Sequence, residues 1–296
     1  MGSGYLAIRY SVQTIPPLVT AGIRFSIAGS ILFAWAWARG HRPKREQWIG
    51  GAILGALFFL ISHGLLYWAQ QTVASGLAAV LIATEPMFIM VFGWLAGQQK
   101  ISRPSALGIA LGVLGVALLT GNELLMKNSS PADLAAVLLA AAIWSVGVVI
   151  LPKLRLPEHA LLRTAIPLLC GAAMLLVAAG ITGQFQSVHW SDVSLRSVLG
   201  LGYLTVFGSV VTLTAYTWLL QQCPPTLVAT HTYVNPAVAL LLGWLFAGKP
   251  LTGRLALASL AILAAIVLIR RGERKESVDL PPPRSRRLSD HSKVVT

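Results

Sequence analysis

The chain has 296 residues, 55% hydrophobic and 11% charged, whereas an average soluble domain carries about 25% charged residues. An ordinary water-soluble globule is excluded, because the apolar residues fall in blocks of about 20, enough to cross roughly 30 Å of hydrocarbon as helices. The net charge of +13 does not point to nucleic acid: eight of the 23 basic residues lie after Ile269, and the rest sit mostly in short loops with no aromatic-interleaved basic face to track phosphates.

In chain order, the opening MGSGYLAIRY lacks the basic flank, apolar run and cleavage site of a signal peptide. Nine full spans follow, at about 18–38, 47–70, 74–97, 105–121, 131–151, 159–181, 197–220, 226–247 and 252–270. Barrel strands alternate apolar and polar residues, whereas SALGIALGVLGVALLTG is apolar all round, so the class is all-α and polytopic. Its Gly and Ala suit close helix contact in lipid. Arg39, Arg42, Lys44, Arg45, Lys100, Arg103, Lys153, Arg155, Arg270 and Arg271 fall on one side of the alternating loops. Only Lys127, Arg196, Lys249 and Arg254 fall on the other, so the first side reads as cytoplasmic. Residues 271–296, with Pro281 to Pro283 and several serines, read as a disordered cytoplasmic tail. Cys170 and Cys223 have neither metal-ligand nor CxxC spacing, and no cofactor or metal is expected.

A shift of 150 residues aligns Trp68 with Trp218, Gln71 with Gln221, Pro86 with Pro236, and Gly93-Trp94-Leu95 with Gly243-Trp244-Leu245. Several of the eight matches among the 37 positions from 64 to 100 are rare residues, so duplication is the better reading than chance among Ala/Leu-rich helices. The expected units are residues 1–121 and 131–270. The second copy holds five spans and the first only four plus the fragment GSGYLAIRY. An odd number of helices per copy makes the copies run in opposite senses, so the chain is expected to begin inside its first helix.

The segments GSGYLAIRYSVQTIPPLVTAGIRFSIAGSILF, SGLAAVLIATEPMFIMVFGWL, GYLTVFGSVVTLTAYTWLL and TLVATHTYVNPAVALLLGWLFAGKPLT resemble the EamA-like branch of the drug/metabolite transporter superfamily. The Arg24-Phe25 pair and the Asn235-Pro236 step carry the resemblance most specifically. It implies a ten-helix fold of two inverted five-helix repeats, here with its first helix truncated, both termini cytoplasmic, in the plasma or inner membrane. It also implies efflux of small metabolites, amino acids or amphiphilic compounds. Two departures stand out. Family members often carry Gly-Glu after the fourth and ninth helices, where this chain has Gly97-Gln98 and Gly248-Lys249, which speaks against a loop carboxylate. Met1 stands where a Trp commonly precedes the first Gly-Ser.

Independently of the resemblance, ionisable residues inside spans mark candidate sites, because a charge at the bilayer centre costs roughly 2.5–3.5 kcal/mol on insertion scales. Glu85 lies mid-span, His63 in the preceding helix, Arg24 early in the second span and His231 in the ninth. Glu85-Pro86 and Asn235-Pro236 each place a polar side chain beside a proline that removes a helical hydrogen bond. They read either as a substrate or proton pathway between inverted repeats or as packed kinks. His63 reads as an interhelical hydrogen-bonding residue or a proton carrier. Arg24 balances Glu85, binds an anionic substrate group, or serves packing alone. Trp68 and Trp218 belong to the interfacial belt or line a substrate cavity, and Trp94 and Trp244 belong to the belt.

The expected function is a secondary transporter, monomeric or homodimeric, with a small-molecule substrate, lipid as its surroundings and protons as a candidate coupling ion. Two other classes remain open. One is a non-transporting membrane scaffold. The other is an intramembrane enzyme using His63 and Glu85, although no HExxH, GxSxG or grouped carboxylates are present.

Overall fold

The computed structural model describes residues 2–73, 75–98, 100–120, 129–234 and, towards the end, residues 257, 260, 261, 263–269, 271 and 272. Among these, all regular elements are helical: α1 (Gly2–Ser11), α2 (Pro17–Ala38), α3 (Arg45–Ala69), α4 (Ser75–Ile82), α5 (Glu85–Leu95), α6 (Arg103–Thr120), α7 (Pro131–Lys153), α8 (Ala160–Ile181), α9 (Leu195–Gln222) and α10 (Pro225–Ala229). Helices α2, α3, α7, α8 and α9 are long and apolar enough to cross a bilayer. The chain is an all-α, polytopic membrane protein.

Local chemistry sets the helix ends. Ser130 and Asp133 form a capping box at the start of α7, with Asp133 N donating to Ser130 Oγ at 3.2 Å and Ser130 N to Asp133 Oδ2 at 3.0 Å. Past α5, Gly97 adopts φ +68° and Gln98 N reaches back to the Gly93 carbonyl at 2.9 Å. The span read over 74–97 is divided at Ala83-Thr84 into α4 and α5. Pro86 has no N–H to continue the ladder, and the Thr84 hydroxyl donates to the Leu81 carbonyl at 2.6 Å, covering part of the break.

Two long helices carry a widened, π-helical stretch: α3 over Gly55–His63 and α9 over Leu204–Val211. These stretches match to within two residues after the shift of 150 that aligns the repeats. No residue from Gly55 to His63 matches its counterpart from 205 to 213, so the backbone keeps a correspondence that the side chains have lost.

Glycines bring the central helices into backbone contact. A Cβ on Gly55 of α3 would lie 2.7 Å from Gly171 N of α8, and one on Gly171 would lie 2.8 Å from the Gly55 carbonyl oxygen. Along α2, Gly22 and Gly29 leave room for Leu176 and Leu169 of α8. The contact of α3 with α8 is mirrored by that of α2 with the π stretch of α9. Helix α7 lies against α3, α4 and α5, and α1 lies against α9. Phe25, Phe58, Phe59 and Tyr67 are buried in the shared core.

Candidate functional site

A cavity of ≈ 140 Å³ lies between α1, α2, α3, α5, α7, α9 and the residues just after α10. Both repeats wall it. Its surface is mostly apolar, and the first repeat brings the buried Arg24 and Glu85 and the half-buried His63 to its wall.

Glu85 is the first residue of α5, at the helix break, so its carboxyl stands beside the positive end of a half-helix. The Tyr216 hydroxyl of α9 donates to Glu85 Oε1 at 3.5 Å, and Trp144 Nε1 of α7 donates to Tyr216 Oη at 3.1 Å. The Ser145 hydroxyl of α7 reaches the Glu85 main-chain carbonyl at 3.3 Å while also donating to Ala141 O at 2.8 Å. The carboxyl is therefore positioned by a neutral chain running from α7 through α9. Tyr216 also meets the His231 ring, centroids 5.6 Å apart, and His231 Nδ1 lies 2.9 Å from the Val228 carbonyl.

At the other pole, Arg24 Nε donates to Ser209 Oγ and Nη1 to Tyr67 Oη, each at 2.8 Å. The guanidinium passes over Gly208, where an added Cβ would lie 2.7 Å from Nη2. The π stretch of α9 thus supplies both an acceptor and the room that Arg24 needs. Between the poles, His63 sits in an aromatic cluster, with ring centroids 5.1 Å from Phe25 and 5.3 Å from Trp144. Its Nδ1 is 2.7 Å from the Phe58 carbonyl of its own helix. A carbonyl only accepts, so Nδ1 carries a hydrogen.

Glu85, Arg24 and His63 thus share one cavity. No ion pair joins Arg24 to Glu85 among the described residues, where the ion pair found is the exposed Arg155–Glu46. Nor does a hydrogen bond join His63 to Glu85, since His63 turns to its own helix and Glu85 faces Tyr216. Trp68 and Trp218 lie elsewhere: they are 46% and 51% exposed on the outer surface and do not line this cavity. Asn235 and Pro236, with Trp244 and Gly248-Lys249, fall outside the described residues. Sequence reasoning missed Tyr216, Trp144, Tyr67, Gly208 and Ser209. Trp144 carried a usable signal, because a tryptophan near the middle of a span is out of place for an interfacial belt.

A family model described as the EamA-like transporter family matches residues 1–121 and again residues 132–271. The chain is 35% identical over 274 residues to the inner membrane transporter YedA of Escherichia coli, spanning 92% of this chain and 87% of YedA. It is 27% identical to the transporter YoaV of Bacillus subtilis, over 90% of this chain and 91% of YoaV, and 26% identical to protein PecM of Dickeya dadantii, over 91% and 88%. One solved crystal structure, 19% identical, superposes with a TM-score of 0.67 over 92% of this chain and 97% of the other, a likeness of fold.

Proposed function

Because the chain belongs to the EamA-like transporter family, we propose that it exports small metabolites, amino acids or amphiphilic compounds by alternating access, with Glu85 as its proton carrier. One observation carries this reading: a buried carboxyl sits at a mid-span helix break, in a cavity walled by both repeats. Such a position between inverted repeats is where transporters of this architecture hold substrate and coupling ion. The low-dielectric surroundings disfavour a bare carboxylate, so a proton or a cationic group accompanies Glu85 through the cycle. The cavity has a neutral donor on Glu85 rather than a guanidinium, which supports a group free to exchange its proton over one locked in an ion pair. Rocking one repeat against the other then exposes the cavity to each side in turn, with residues 271–296 on the cytoplasmic side.

Reconstituted vesicles with an imposed pH gradient test the proposal. Glu85→Gln keeps the shape of the side chain, so we expect it to fold and to retain facilitated exchange while losing gradient-driven accumulation. Gradient-driven uptake equal to the wild type eliminates the proton-carrier role. Weakened binding without loss of proton coupling assigns Glu85 instead to a cationic substrate group.

A further inference from the structure

We infer that Arg24 is the anion anchor of the transport cavity and that the solute it serves carries a carboxylate. This inference rests on the transporter reading above and names a chemical class for its substrate.

Arg24 is 4% exposed. Among the described residues no carboxylate lies within ion-pairing distance of it. Its two hydrogen-bond partners, Ser209 and Tyr67, are hydroxyls that fix the direction of the guanidinium, and the Phe25 ring lies 4.9 Å from Cζ; none of the three brings a formal counter-charge. A buried charge without a counter-charge is costly and marks a place where one is supplied. The third nitrogen, Nη2, passes over Gly208, and both residues line the cavity. A planar guanidinium held in this way is preorganised for a carboxylate, which it binds in a bidentate fork.

A packing role alone does not account for the charge. After the shift of 150, the counterparts of Arg24 and Gly208 are Met174 and Phe58. The pseudo-symmetric crossing of α8 with α3 is therefore built at these positions without a cation or a glycine. The exchange of Phe for Gly at the one place where a guanidinium must fit ties the two residues to a shared purpose. Glu85, in the same cavity, is occupied by Tyr216 rather than by Arg24, which leaves the anchor open to a solute.

The test uses the purified full chain, in detergent for thermal stabilisation and in vesicles for exchange. The probes are alanine, leucine, phenylalanine, 4-methylpentanoate and the amide of each. We expect acids to stabilise and exchange in preference to their amides. In Arg24→Gln that preference should collapse by between about 10-fold and 150-fold, the range for losing a hydrogen bond to a charged group. Arg24→Lys should recover only part of it, since an ammonium cannot form the fork. If Arg24→Gln fails to fold, Gly208→Ala keeps the charge and pushes the guanidinium aside, and the same loss of preference is expected. A merely structural role would lower acids and amides together. Equal handling of acids and amides by the wild type, or an unchanged preference in Arg24→Gln or Gly208→Ala, overturns the anchor and leaves the transporter reading standing. If no probe of either kind binds or exchanges, the carboxylate assignment falls, while the transporter reading, which also covers other solutes, stands.

Discussion

Where both are described, the two repeats share a frame and furnish it differently. The first supplies the ionisable groups Arg24, His63 and Glu85, and the second supplies Gly208, Ser209 and Tyr216. Where the first has Arg24 and His63, the second has Met174 and Leu213. Duplication thus accounts for the paired π stretches and the mirrored helix crossings, and divergence accounts for the chemistry. A symmetric site would have placed like charges face to face, which a low-dielectric cavity disfavours.

The largest expected effect tests the frame. At the close crossing of α3 and α8, Gly171→Ala puts a methyl 2.5 Å from Phe59 Cβ and 2.8 Å from the Gly55 carbonyl oxygen. Overpacking of this kind costs about 1–3 kcal/mol. The counterpart positions of Gly55 and Gly171 are Thr205 and Ala21, so the other crossing already carries side chains. In α9, Gly202→Ala meets nothing within 4 Å and should be neutral or stabilising by up to about 1 kcal/mol. Melting temperatures in detergent compare the two. Equal effects would mean that the crossing of α3 and α8 is no tighter than open surface.

A second test addresses the furnishing. Tyr216→Phe leaves the ring in place and removes both the donor to Glu85 and the acceptor for Trp144. Each such bond contributes about 0.5–1.5 kcal/mol, so stability should fall modestly. If Glu85 carries protons, the pH profile of gradient-driven transport should move as well. A profile that stays put while stability drops would reduce Tyr216 to packing.

How much of this was legible in the sequence follows from what hydropathy can register. Glu85, Arg24 and His63 stood out because charge is rare in apolar spans, and they do meet in one cavity. Tyr216, Gly208 and Ser209 did not, because hydroxyls and glycines are ordinary in membrane helices. The π stretches left no trace, since widening a turn rotates side chains without altering composition. The repeated Trp68 and Trp218 marked an equivalent backbone position, and both stand exposed, away from the cavity that holds Glu85 and Arg24. Pro86 located the helix break within three residues, whereas nothing in the sequence said that Thr84 would cover one of its carbonyls.

The smallest effect compares the two ends of the bundle where the repeats are tied together. At one end Thr14 Oγ1 donates to Ser197 Oγ at 2.8 Å, and Ser197 Oγ donates to the Tyr10 carbonyl at 2.7 Å. None of these groups titrates in the physiological range. At the other end the rings of His41 and His159 stack with centroids 3.7 Å apart, and His159 Nδ1 is buried without a partner. Burial above all, then the nearby His41 and Arg39, hold the His159 imidazole below its usual range. The folded chain therefore binds fewer protons there than the unfolded chain once the pH drops to about 6.5, the unperturbed value. Stability contributed at this joint is present above that pH and is lost as the pH falls towards the lowered folded value. Part of the His159 ring is open to solvent, so screening keeps the effect small. Melting curves between pH 7.5 and 5.5 should show a shallower acid slope in His159→Gln than in the wild type. Thr14→Val at the opposite end should shift the curve without changing its slope. Identical slopes in all three would mean that the stacked pair carries no proton linkage and that the two ends differ only in shape.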